Sequence, residues 1–263
     1  MRGKEVYFHV GLGKVASTFL QQKVFPNLAN IQYISTGKYR SAKKIIAKSK
    51  TEKVLVSREF DRQLEQEVAW FSKDFPQAKV IILLRRQDEW AASQYRRKVK
   101  NGWYGSFEEF LDLEHDQGLW KQSDFAFAPK VDFIRRHSGQ EPLVLIYDDL
   151  VARPEWFLQR LCGYMGVETP VVHWKKVHTS FSDKQLKVLQ AFCKRYVKSV
   201  PKGKEKKLLH WLTYRPVWAF YHLVLYLAVL IPDSWVSKAP LISEESLKKV
   251  RKFYAEDWEA VKD

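Results

Sequence analysis

The stretch Glu5-Val6-Tyr7-Phe8-His9-Val10-Gly11-Leu12-Gly13-Lys14-Val15-Ala16-Ser17-Thr18-Phe19-Leu20 decides how this chain is read. Val6, Tyr7, Phe8 and Val10 form a β-branched and aromatic run that predicts a buried strand. Gly11 and Gly13 break it, Lys14 and the small residues Ala16, Ser17 and Thr18 follow, and a helix is expected from about Phe19. Strand, Gly-rich turn and helix start gather backbone N–H groups and the positive end of a helix dipole around one concavity, which suits an anion. Lys14 adds a mobile positive charge; Ser17 and Thr18 add hydroxyls. The nucleotide triphosphatase loop is different, because it sets Lys directly between the last Gly and a Ser or Thr. A plain strand–turn–helix connection with an incidental Lys is the alternative.

Outward from this stretch, further strands are expected at Ile31–Ile34, Lys53–Ser57, Ala78–Leu84 and Leu143–Tyr147. Ala78–Leu84 is apolar on both faces, as a central parallel strand should be. Helices are expected from Tyr39 to Lys48, over 61–74, from Asp88 to Lys100 and from Pro154 to Met165. Strands alternating with helices predict an α/β fold, three-layered, with a central parallel sheet. Such sheets bind ligands at the C-terminal strand ends. Three polar sets fall there: Lys14 with its hydroxyls, Arg58-Glu59 and Arg85-Arg86.

The C-terminal portion reads as helical. Ser182–Lys198 and Ser243–Val261 carry amphipathic periods, with Ser243 as N-cap of the second. Between them, residues 208–235 contain an apolar run from Val217 to Ile231, flanked by Trp211, Trp218 and Trp235 and preceded by a basic cluster, Lys202 to Lys207. The run is short for a membrane span, which needs ~20 residues. An interfacial anchor, a buried core or lid helix, and a true span all remain open. Residues 1–263 are expected to form a single domain, with 202–236 as a basic and apolar helical insertion.

Aromatic residues are abundant, and a hydrophobic content of 46% argues for a folded globule. A net charge of +15 implies acidic partners, with a basic surface serving solubility alone as the alternative. Cys162 and Cys193 show no metal or disulfide spacing. A strand begins almost at the N-terminus, so no secretory signal is read and a cytoplasmic location is expected, with a peripheral place at the inner face of a membrane as a variant of it.

Taken together, these pieces resemble the sulfotransferases that use 3′-phosphoadenosine 5′-phosphosulfate (PAPS), in their bacterial or carbohydrate-type branch. Gly13-Lys14-Val15-Ala16-Ser17-Thr18 occupies the places of the family's Pro-Lys-x-Gly-Thr-Thr loop, keeping Lys14 and Thr18. Arg85 and Ser93 have the spacing of its 3′-phosphate motif, with Tyr95 at a customary aromatic position. Tyr147-Asp148-Asp149-Leu150 resembles its Tyr-Glu-Asp-Leu segment, and His178 stands where Asn is usual in a later Asn-x-Ser segment. The resemblance covers roughly residues 4–198 and implies a P-loop-like sulfotransferase fold with no metal.

The resemblance also implies roles. Gly13, Lys14, Val15, Ala16, Ser17, Thr18 and Phe19 would hold the 5′-phosphosulfate, through backbone N–H groups of residues 15–19 and the hydroxyls of Ser17 and Thr18. Arg85 and Ser93 would hold the 3′-phosphate, with Arg86 as a helper. Lys14 would stabilise charge on the departing phosphate, and Glu59 would be the base. His115 is the runner-up, and His9 reads as a core residue. The acceptor would be a hydroxyl of a glycan, glycolipid or lipid, and the product nucleotide PAP. A kinase of related architecture predicts a Lys-Ser/Thr pair and a metal-holding Asp, for which only Asp148 is available. A non-enzymatic basic membrane-binding module accounts for the charge but not for Lys14, Glu59, Arg85 and Ser93. No nucleic-acid motif is present.

Overall fold

The computed structural model describes residues 3–172, 181–197 and 207–262, with backbone alone for 207–213. The chain divides into two compact units: Met1–Gln87 with Ser123–Val177 and Tyr254–Asp263, and Asp88–Gln122 with His178–Phe253.

The first unit holds a five-stranded sheet of β1 (Glu5–His9), β2 (Ile31–Ile34), β3 (Lys53–Ser57), β4 (Lys79–Leu84) and β5 (Leu143–Ile146). Its order is β2-β3-β1-β4-β5 and every pairing is parallel. From β1 the chain passes to the edge strand β2, returns to β3 beside β1, and then crosses to β4 and β5 on the other side. The C-terminal end of β1 is therefore the switch point, where open parallel sheets form their crevice. Residues 6–9 of β1 are buried on both faces. Phe8 stacks on Phe71 at 4.0 Å and on Tyr39 at 5.8 Å, with Phe60 edge-on at 6.0 Å. Each such ring contributes roughly 1.5–3 kcal/mol by its burial. Glu67 is accommodated in this layer by Tyr39 Oη at 3.0 Å and by Arg40.

Several local expectations change. The helix expected from Phe19 is one turn, Ser17–Phe19, then a wider π-helical stretch, Leu20–Val24, and a tight turn, Phe25–Asn27. Pro26 cannot extend an α-helix, having no N–H to donate. The basic helix begins at Ala42, after a 3₁₀ stretch from Thr36 to Ser41. The single helix expected over 243–261 is two, Glu244–Phe253 and Ala255–Lys262, parted at Tyr254. No Gly or Pro marks that break. The halves belong to different units, and in the first unit Tyr254 packs near Phe125 and Trp258 near Phe127. The helix Ala128–Ser138 went unread because its cap is remote: Asp257 accepts from the N–H groups of Phe127 and Ala128 at 2.8 and 3.0 Å.

The second unit is helical. It contains most of the helix Gln87–Lys100, a capping-box turn at Phe107–Phe110, and the helices Asp183–Tyr196, Lys207–Leu227 and Glu244–Phe253. Its aromatic core joins Trp90, Trp120, Phe110, Tyr95 and Phe107. Gly102, at φ +94°, lets Tyr221 lie where a Cβ would come within 2.5 Å of its ring. Asp88 is buried and receives two hydrogen bonds from Arg251, at 2.8 and 2.7 Å. Among the described residues no helix is long and apolar enough to cross a membrane.

Candidate functional site

The backbone of β1 keeps its neighbours past the strand end. Val10 and Leu12 donate to the carbonyls of Ile81 and Leu83, each at 3.0 Å, while Arg58 and Phe60 donate to His9 and Val10 at 3.0 and 2.9 Å. Residues 10–12 are thus threaded between 58–60 and 81–83. Gly11 is at φ +103°, and a Cβ there would lie 3.1 Å from both Glu59 Cα and Phe60 N. Only glycine permits that approach without strain. One step on, Gly13 N–H donates to Asp61 Oδ1 at 2.9 Å.

The chain then turns sharply. Lys14 and Ala16 take left-handed φ values of 68° and 67°. Val15 is fully buried and pins the turn, leaving Lys14 exposed and Thr18 half-buried. Ser17 Oγ, expected to hold phosphate, instead donates to the Leu12 carbonyl at 2.8 Å, and the Phe19 N–H donates to the Ala16 carbonyl at 2.9 Å. Both donors are therefore committed within the loop.

Below the loop lies a buried polar cluster. His9 Nδ1 and Ser57 Oγ share a hydrogen bond of 2.8 Å, and Gln21 Nε2 donates to the same oxygen at 3.1 Å. His9 is fully buried, and burial pushes its pKa down to about 3, so the ring is neutral and belongs to the core. Glu59 is half-buried above this cluster. Tyr33 has its phenol raised above the ordinary value, first by burial and further by the Glu59 carboxylate, against a hydrogen bond with Ser57. The guanidinium of Arg58 lies over the rings of Tyr39 and Phe60, at 5.3 and 5.8 Å.

Arg85 follows β4 and is half-buried. Its guanidinium sits 4.5 Å from the centre of the Tyr147 ring. The register that pairs Leu84 with Ile146 brings the next residues, Arg85 and Tyr147, side by side. One unit therefore carries the loop 11–19, Glu59, Asp61, Arg85 and Tyr147 at neighbouring strand ends. Ser93 and His115 belong to the other unit. Ser93 is half-buried on the helix Gln87–Lys100, and His115 is exposed on a turn organised by Asp112, which accepts from the N–H groups of Glu114, His115 and Gln117. His178, Lys202 and Lys204 lie outside the described residues.

Asp61 is not singled out by the sequence, and Tyr147 is read there only within the segment Tyr147-Asp148-Asp149-Leu150, with no role beside Arg85. The signal for Asp61 was its two-residue offset from Glu59; the signal for Tyr147 was strand register, which a single sequence does not print. A cavity of about 520 Å³ in the second unit, lined among others by Tyr104, Glu108, Lys187 and Gln190, contains none of the residues expected to bind nucleotide or act on a sulfuryl group. Among the described residues no group of three or more His, Cys, Asp and Glu lies placed to hold a metal ion.

No protein-family model matches the chain, and no curated protein matches it in sequence. Solved structures do. A sulfotransferase from Alicyclobacillus acidocaldarius is similar with a TM-score of 0.52 at 15% identity, over 88% of this chain and 98% of that one. Mouse sulfotransferase SULT7A1, solved with PAP, is more distant, with a TM-score of 0.45 at 13% identity over 97% and 84% of the two chains. At these identities the bacterial likeness establishes architecture: the chain has the three-layer α/β fold of a protein described as a sulfotransferase.

Proposed function

We propose that this protein is a PAPS-dependent sulfotransferase whose acceptor is a hydroxyl of a glycan, glycolipid or lipid. The observation that supports this best is the loop 10–16, held at the switch point between Glu59–Asp61 and the strand that Arg85 follows. The residues present fit an anion bound at both ends. An exposed Lys14 and a tight left-handed turn suit a 5′-phosphosulfate, and a guanidinium backed by an aromatic ring suits a 3′-phosphate that must be recognised but not transferred.

PAPS supplies the sulfuryl group and leaves as PAP. As in phosphoryl transfer, the protein's part is positioning and charge stabilisation. Lys14 neutralises charge that builds on the departing phosphate. Thr18 and backbone N–H groups of the turn orient it. Arg85 fixes the other end of the nucleotide, and the sequence pattern adds Ser93 as a second ligand there. Glu59 takes the acceptor's proton from its half-buried place beside Tyr33. The acceptor class follows from the basic, Trp-rich C-terminal portion, and transfer takes place at the inner face of a membrane.

The test is thermal shift and calorimetry with PAP against ATP–Mg. Stabilisation by PAP, lost when the 3′-phosphate is removed, is expected. Stabilisation by ATP–Mg alone would favour a kinase, and none by either ligand a non-enzymatic module.

A further inference from the structure

The helix Lys207–Leu227 and the turns after it carry apolar side chains on opposite faces. One stripe, Tyr221, Leu225 and Ala228, is buried. It packs toward the helix Asp183–Tyr196, where Gln185 Nε2 donates to the Leu225 carbonyl at 2.9 Å and Phe192 meets Phe220 at 5.7 Å. The other stripe is uncovered. Leu223, Leu227 and Leu230 follow one another at helical spacing and are 52%, 52% and 79% exposed, with Tyr226 beside them at 65% and Trp235 beyond at 80%. A helix of a soluble domain normally presents polar residues on that side. Contiguous exposed apolar side chains of this kind mark a contact surface.

Cations predominate in the sequence that carries this face. Lys194, Arg195, Arg215 and Lys238 are exposed. From 207 to 243 the sequence holds a single acid, Asp233, and its carboxylate is paired with Lys184 at 2.8 Å. The sequence just before the helix adds Lys202, Lys204 and Lys206 against Glu205.

We propose that this face docks on an anionic phospholipid surface. The helix lies in the plane of the interface, with Leu223, Leu227 and Leu230 among the acyl chains, Tyr226 and Trp235 at headgroup level, and the cations against lipid phosphate. No described helix is long and apolar enough to cross a membrane, and the proposed contact is with one leaflet. A protein partner would need a matching acidic rim, and a second copy of this chain would bring like charge to the same contact. The inference rests on the second unit alone and does not depend on sulfuryl transfer.

The test is co-sedimentation of the full chain with phosphatidylcholine vesicles, with and without phosphatidylglycerol, at low and high salt. Binding is expected only with phosphatidylglycerol, weakened by salt, and accompanied by a blue shift of Trp emission. Leu227→Asp with Leu230→Asp should weaken it roughly tenfold or more while leaving the melting temperature and the PAP-induced shift intact. A more conservative pair, Leu227→Ser with Leu230→Ser, covers the case in which the first variant misfolds. Absence of binding by the folded wild type, or binding unchanged in both variants, overturns the proposal. So does a stable dimer that these substitutions dissociate, since a second copy would then cover the face. Loss of the PAP shift with vesicle binding retained would strike the sulfotransferase reading and leave this one standing.

Discussion

Asp61 Oδ1 accepts the Gly13 N–H at 2.9 Å, so a carboxylate is fastened to the backbone of the loop proposed to receive another anion. Its hydrogen bond and its charge act in opposite senses. The bond holds the turn in shape, worth about 0.5–1.5 kcal/mol net; the charge repels a phosphosulfate. Asp61→Ala removes both and is expected to weaken PAP binding about three- to tenfold by loosening the loop. Asp61→Asn keeps an acceptor and removes the charge, so affinity should hold or rise. Calorimetric titration of both variants decides this; equal losses would mean that the loop needs the charge itself.

Lys14 is exposed and Glu59 half-buried, so replacing either should change stability by only about 0.5 kcal/mol. Glu59→Gln is expected to slow transfer by about a hundredfold or more, the usual contribution of a positioned base, while PAP affinity changes little. Lys14→Ala should cost turnover on a similar or larger scale, about 10²–10³-fold, because charge on the leaving phosphate loses its counter-ion. Single-turnover rates together with PAP dissociation constants separate the two roles. Parallel loss of affinity in Glu59→Gln would make that residue structural.

The stacking of Arg85 on Tyr147, at 4.5 Å, gives a sharper test of the 3′-phosphate end. The ring and not the hydroxyl carries such a contact, worth about 0.5–2 kcal/mol. Tyr147→Phe should preserve discrimination between PAP and its 3′-dephospho analogue. Tyr147→Ala should reduce it roughly three- to tenfold by releasing the guanidinium. Discrimination that survives Tyr147→Ala would place the 3′-phosphate elsewhere.

Strand positions were legible because parallel strands buried on both faces leave unbroken apolar runs, as in Lys79–Leu84. The strand-end residues Lys14, Glu59 and Arg85 were legible for the same reason, since polar residues that interrupt such runs stand out. The contacts of Asp61 and Tyr147 were not, because they are made with partners 48 and 62 residues away, Gly13 and Arg85. The committed hydroxyl of Ser17 was equally hidden: composition names a donor but not its acceptor. The break at Tyr254 was invisible because tertiary packing, not a breaker residue, causes it.

Ala16 sits at φ 67°, where the resembling motif has Gly. An L-residue there costs roughly 1–2 kcal/mol, partly offset by the smaller backbone entropy of Ala in the unfolded chain. Ala16→Gly should therefore raise stability by about 0.5 kcal/mol, a melting shift of one or two degrees. Ala16→Val should lower it by more than about 1 kcal/mol, because β-branched residues fit that region worst. Melting curves for the pair give the sign. A destabilising Gly would mean that another contact of the Ala16 methyl outweighs the strain.

Acid stability should carry the signature of His9. Its folded pKa lies near 3 against an ordinary 6.5, because burial disfavours the imidazolium. Between those values the unfolded chain binds one more proton than the folded one. Stability therefore is full above pH 6.5 and falls as pH drops toward 3, at up to about 1.4 kcal/mol per pH unit. Asp183 does not confuse this window. Burial raises its pKa, but hydrogen bonds from Arg96 and Leu241 outweigh that and hold it below the ordinary 3.8, so its contribution is lost only in stronger acid. His9→Gln keeps a polar group beside Ser57 and removes the titration. Denaturant unfolding at pH 7.5, 6 and 5 should show a shallower decline in the variant, by about one proton's worth. Identical slopes in the two proteins would mean that His9 is protonated in the folded state and that its surroundings are wetter than the packing around Phe25 and Ser57 implies.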